Sequence, residues 1–274
     1  MAMNVIMSAR RRSPWIFFLL VFVLSVPFWL AGPLADQLLQ KAIPIDLPLS
    51  ALQAVNPLIA ASILVYGENG SEGVKRLLRR ALDYGRIKRK VWYVPILCLW
   101  PTTMVLAYGS MYLAGAPLPD DPRFPMLILP LLFVVFLVSA TVEQVGWQGY
   151  AIDRLQGRWN ALEAGIIVGV VWAIWHVVPL MELRQTPTWI AWQCLGMVPF
   201  RILIVWIYNN TGRSVFAAIV FQATANVSQF SFPNYGSHYD PFIVGLILTF
   251  MAAIVTFVWG PETLARYRCA RSRG

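Results

Sequence analysis

The chain has 274 residues, 58% of them hydrophobic and 13% charged, and a mean hydropathy of +0.61. Those values exclude a water-soluble globule and describe a chain solvated by lipid. The formal net charge of +9 does not point to nucleic acid, because the basic residues sort with the ends of the apolar runs; no nucleic-acid partner is expected.

The apolar runs have the length a bilayer requires, roughly 20 residues each, and predict an all-α fold, a polytopic transmembrane bundle of about eight helices. In chain order they fall at Pro14–Ala31, Leu47–Tyr66, Val91–Ala114, Phe124–Leu155, Ala161–Leu180, Thr188–Tyr208, Ser214–Phe230 and Pro241–Trp259. The first run follows Arg10, Arg11 and Arg12, but it is longer than a signal-peptide core and no small-x-small cleavage site follows, so it is read as a retained helix. No linker or clear repeat interrupts the sequence. One integral membrane domain over 1–274 is expected, and an inverted-repeat transporter is disfavoured.

Short cytoplasmic loops retain Lys and Arg. Arg10 to Arg12, the Lys75 to Lys90 loop, Arg154, Arg158, Arg213 and the tail Arg266, Arg268, Arg271 and Arg273 fall on one side of this map, against Lys41, Arg123 and Arg184 on the other. Both termini are therefore expected in the cytoplasm, and the compact loops suggest a bacterial plasma membrane. The stretch from Gly70 to Lys90 sets Val74, Leu77, Leu78, Ala81 and Leu82 among basic residues, the pattern of an amphipathic helix lying on an anionic leaflet. Cys98, Cys194 and Cys269 form no metal-binding spacing and no evident disulfide set.

The informative residues are polar ones inside apolar runs, because an ionisable side chain at helix centre costs at least about 2.5–3.5 kcal/mol on insertion scales and usually marks function. Glu143 lies eleven residues before Arg154, about 16 Å into a continuous helix. The alternative is that the helix ends at Val142 and Glu143 caps a loop. Gln144 and Gln148, four apart, are neighbours on an adjoining face. His176 closes a helix on which Gly165, Gly169 and Ala173 recur every four residues and admit a close neighbour. It sits fifteen residues past Ala161, about 22 Å along, so it meets Glu143 only if the helices tilt or extend. Gln222, Asn226 and Gln229 make one polar stripe on the seventh run. Amides of this kind bind helices together or donate to a developing oxyanion.

Three segments carry a resemblance: EQVGWQ at Glu143, WAIWH ending at His176 and QATAN ending at Asn226, supported by GWQGYAIDRLQGRW and VWIYNNTGRS. In order and separation they resemble the motifs EExxxR, FxxxH and HxxxN of the CAAX protease and bacteriocin-processing (CPBP, Abi-like) intramembrane glutamate proteases. The resemblance covers a core of 124–230. It implies that Glu143 and His176 activate water and that the third-motif pair, here Gln222 and Asn226, holds the oxyanion. The sequence departs from the family at Gln144 for the second Glu, Gln148 for the Arg and Gln222 for the third-motif His. Gln144 and Gln148 then read as a neutral amide pair in place of a charge pair.

These residues are the candidate catalytic set: Glu143 as base, His176 to orient water or protonate the leaving amine, and Asn226 with Gln222 as oxyanion donors. One Glu and one His are too few for a catalytic zinc site, so no metal or other cofactor is expected. Arg201, inside the sixth run, either pairs with Glu143, receives a substrate carboxylate, binds backbone carbonyls or snorkels. The expected function is an intramembrane endopeptidase acting on a membrane-associated peptide or protein in the lipid bilayer. The alternative is a catalytically impaired relative that binds a membrane peptide or partner, a pseudoprotease or immunity-type role; a proton-relay transporter is the third reading.

Overall fold

The computed structural model describes residues 13–39, 49–124, 126–183 and 185–265. Eight helices carry the fold: α1 Pro14–Leu39, α2 Asn56–Arg79, α3 Tyr93–Leu113, α4 Leu129–Gly146, α5 Ala161–Glu182, α6 Pro187–Asn210, α7 Val215–Phe230 and α8 Pro241–Trp259. Among the described residues there is no strand. Seven helical segments are long and apolar enough to cross a membrane, and α7 is a shorter apolar helix. The chain is an integral, multi-pass membrane protein built as the expected all-α bundle.

Side-chain caps set several boundaries. Asn160 and Glu163 form a reciprocal capping box at the start of α5. Thr186, Ser214 and Asp240 accept backbone N–H groups at the starts of α6, α7 and α8.

Neighbouring helices close a ring in the order α1, α2, α4, α7, α3, α8, α6, α5 and back to α1, with α6 also touching α7 across the middle. Small residues permit the tightest approaches. A Cβ on Gly146 would lie 2.4 Å from the Pro57 carbonyl oxygen of α2, and one on Gly169 would lie 2.9 Å from Val198 Cα of α6. Gly165 also faces α6, at Ile202, so the four-residue spacing of Gly165 and Gly169 does form a helix seam. The Ser25 hydroxyl ties three helices, accepting from the Trp175 indole at 2.7 Å and the Asn56 amide at 3.0 Å.

The larger boundary differences from the sequence expectation fall in α1, α2 and α4. Helix α1 continues beyond Ala31 to Leu39. The second run begins as a 3-10 helix, Leu49–Val55, and α2 passes through Tyr66 to Arg79 with a kink at Gly70, φ 61° and ψ −163°. The polar stretch after Tyr66 stays helical because Glu68 pairs with Arg154 at 2.6 Å instead of facing solvent. Helix α4 starts at Leu129, not Phe124, and its C-terminal part is a π-turn, Trp147–Ile152.

The Gly70–Lys90 segment is the larger correction. It is not only a surface anchor, because one face docks on the end of the bundle. Arg80 donates to the Gly149 carbonyl at 2.7 Å and to the Tyr208 hydroxyl, while Asp83 accepts from the Ser214 hydroxyl and the Phe216 N–H. Ile87 and Leu77 are buried there, and Leu78 and Leu82 remain exposed on the other face. Arg154 and Arg213 lie at this same end, Arg213 pairing with Asp153 at 3.5 Å. Arg10 to Arg12, Lys41, Arg184, Cys269 and the tail arginines lie outside the described residues.

Candidate active site

Helix α4 does not stop at Val142. It runs through Glu143 to Gly146 and passes directly into the π-turn, so Glu143 lies inside the bundle and is 5% exposed. Single π-turns concentrate at functional sites because the extra residue re-aims the side chains around it. The Glu143 carboxylate accepts the Trp172 indole N–H at 3.0 Å and lies 4.0 Å from the Arg201 guanidinium.

His176 is one turn beyond Trp172, half-buried, with its ring edge-on to Trp172 and Trp175 at centroid distances of 4.4 and 4.8 Å. Its Nδ1 sits 2.9 Å from the Trp172 carbonyl oxygen. A carbonyl only accepts, so Nδ1 carries a proton; in the neutral ring Nε2 then keeps its lone pair. The mismatch in depth, about 16 Å against about 22 Å by helical rise, closes through side-chain direction. Side chains lean toward their own helix N-terminus. The antiparallel α4 and α5 therefore aim Glu143 and His176 toward each other.

The polar stripe of α7 completes the site. Gln222, Asn226 and Gln229 line the same cavity as Glu143 and His176, with a volume of about 180 Å³. All four candidate residues, Glu143, His176, Gln222 and Asn226, thus come together, from α4, α5 and α7. Tyr239, on the loop before α8, also lines it. Burial pushes the Tyr239 phenol well above its ordinary range, so it remains a neutral O–H.

The amide pair read from the sequence does not form. Gln144 donates its side-chain amide to the Gln222 carbonyl on α7, and its own carbonyl accepts from Arg201 at 3.2 Å. Both amide atoms of Gln148 are buried with no hydrogen-bond partner among the described residues. Four-residue neighbours share a face, but across the bundle Gln144 meets a charged donor in Arg201 and an amide acceptor in Gln222.

Arg201 is fully buried and does not snorkel. It stacks over the Trp172 ring at 4.1 Å and the Trp147 ring at 5.6 Å, facing Glu143 and Gln144. Of the alternatives left open for it, the structure has the pairing with Glu143. Sequence reasoning missed Trp172 as the donor to Glu143. The signal available was its place at the first position of WAIWH, where the resembling motif has Phe. Among the described residues no group of three or more His, Cys, Asp or Glu side chains gathers anywhere.

The fold and this cavity define a class: a polytopic helical membrane protein with a buried polar site supplied by three helices. Residues 125–228 match the family model described as Type II CAAX prenyl endopeptidase Rce1-like. The chain is also 28% identical, over 237 residues, to CAAX prenyl protease 2 of Methanococcus maripaludis, an alignment covering 81% of this chain and 86% of that relative. Residues 125–228 are therefore similar to Rce1-like CAAX prenyl endopeptidases, in agreement with the resemblance carried by the three motifs.

Proposed function

We propose that the chain is an intramembrane endopeptidase that hydrolyses a peptide bond of a membrane-associated substrate, with a CAAX prenyl peptide as the first candidate. The observation that carries this reading is the shared cavity of Glu143, His176, Gln222 and Asn226. In the reaction, Glu143 takes a proton from a water molecule and the hydroxide oxygen adds to the scissile carbonyl carbon. Asn226 and Gln222 donate N–H groups to the oxyanion. The His176 Nε2 orients the water, and the proton passes to the leaving nitrogen as the C–N bond breaks, giving a carboxylate and an amine. The likeness to CAAX prenyl protease 2 supports the substrate class.

The same reading treats 1–274 as one integral membrane domain with 124–230 as its core, in a cell membrane with both termini cytoplasmic. The gathering of Lys75 to Lys90, Arg154 and Arg213 at one end of the bundle supports that orientation. A second reading, a relative that binds a membrane peptide without cleaving it, draws on Gln148, whose buried amide has no partner where the resembling motif has Arg.

The test is cleavage of prenylated and unprenylated CAAX peptides by the protein in lipid nanodiscs. Wild type is expected to release the C-terminal peptide, with Glu143→Ala and His176→Ala each slower by about 100- to 10,000-fold, the span of a lost general acid or base. Peptide binding without cleavage by wild type supports the second reading; cleavage unchanged in Glu143→Ala rules out the first.

A further inference from the structure

The side chains of Arg201, Gln144 and Gln222 form a directed chain across the core. Arg201 Nη1 donates to Gln144 Oε1 at 3.2 Å, and Gln144 Nε2 donates to Gln222 Oε1. All three are at most 1% exposed, so a mismatched partner within the chain is costly. Of the three, only Gln222 lines the cavity.

A glutamine amide is nearly symmetric in shape, so its orientation is decided by the network around it. Here one end of the network has no freedom. Guanidinium groups donate and never accept, so Gln144 must turn its carbonyl to Arg201. Its N–H₂ then faces Gln222, which must accept with its carbonyl. That leaves the Gln222 N–H₂ group free for the cavity the residue lines.

We propose that Arg201 is a positioning residue that sets the polarity of this amide relay, so that Gln222 presents a donor to the oxyanion. The proposal rests on the hydrolytic reading above and deepens it. It also explains why two departures from the resembling motifs occur together. A carboxylate at position 144 only accepts. Facing it, Gln222 would donate its N–H₂ to the carboxylate and turn its carbonyl toward the oxyanion. A histidine at position 222 avoids this, donating one ring N–H to the carboxylate and the other to the cavity. Glutamine at both positions is self-consistent, and so is glutamate with histidine; glutamate with glutamine is not.

The test compares wild type, Gln144→Glu, Gln222→His and the double variant for cleavage of a prenylated CAAX peptide in nanodiscs. Gln144→Glu is expected to lower kcat by about 100- to 1000-fold, the loss of one oxyanion donor, with KM little changed. In the double variant kcat returns to within about tenfold of Gln222→His, a rescue that a merely structural role does not produce. Equal kcat for Gln144→Glu and wild type, or no rescue in the double variant, overturns the relay while leaving the protease reading intact. If wild type cleaves no peptide, the protease reading fails and the relay is read from Tm instead. Shifts that fail to sum across the four proteins then support a direct Gln144 to Gln222 contact; additive shifts overturn it.

Discussion

At Glu143 a single carboxylate is held by an indole N–H and a guanidinium, both supplied by other helices. The motif position of Trp172 accommodates phenylalanine in the resembling family, so Trp172→Phe keeps an aromatic ring against Arg201 and His176 while removing the donor. The expected outcome is a loss of about 1.5–3 kcal/mol, the worth of a hydrogen bond to a charged group, measured by thermal or denaturant unfolding in lipid. An unchanged Tm would show that the indole contributes packing alone. Glu143 and His176 were legible in the sequence because charge and imidazole are costly in an apolar helix. Trp172 was not, since a tryptophan there reads as core, and its N–H acquires a partner only when α4 and α5 are assembled.

Among the elements, α2 and α4 illustrate what periodicity conveys and what it leaves out. Their apolar runs were readable, whereas the side-chain caps at Asn160, Thr186, Ser214 and Asp240 that set the starts of α5 to α8 emerge from the structure. The π-turn at Trp147–Ile152 was not readable, because one inserted residue leaves the local apolar composition unchanged. Nor was the continuation of α2 past Tyr66, which depends on Arg154 of another element reaching Glu68. Gly146 lies at the α2–α4 contact that seats Glu143. Gly146→Ala places a Cβ 2.4 Å from the Pro57 oxygen and must push the helices apart. The cost is expected at or above about 1–3 kcal/mol, the ordinary cost of overpacking. It is checked by Tm in nanodiscs, with Gly109→Ala, where nothing lies within 4 Å, as the control that unfolds like wild type.

For the whole molecule, the charge asymmetry of the sequence becomes two chemically distinct ends. One gathers Arg80, Asp83, Arg154 and Arg213 around the π-turn, and the other holds Arg123 against Asn234. With the cytoplasmic termini proposed above, the second end faces away from the cytoplasm. Ser237 and Lys88 are both exposed, at opposite ends. A membrane-impermeant maleimide applied to intact cells is therefore expected to label Ser237→Cys, and Lys88→Cys only after the cells are opened. The reverse pattern inverts the topology.

The membrane class, the number and order of helices and the polar residues set apart from lipid follow from composition and hydropathy, because hydrophobic length and the cost of burying charge are local properties. The tertiary structure alone decided which polar groups meet. Gln144 pairs with Gln222 rather than Gln148, and Arg201 turns to Glu143 rather than to the membrane surface. Those partners lie 78 and 58 positions apart in the chain. Hydrogen-bond partnership in a bundle follows helix rotation and depth, which no stretch of sequence read alone contains.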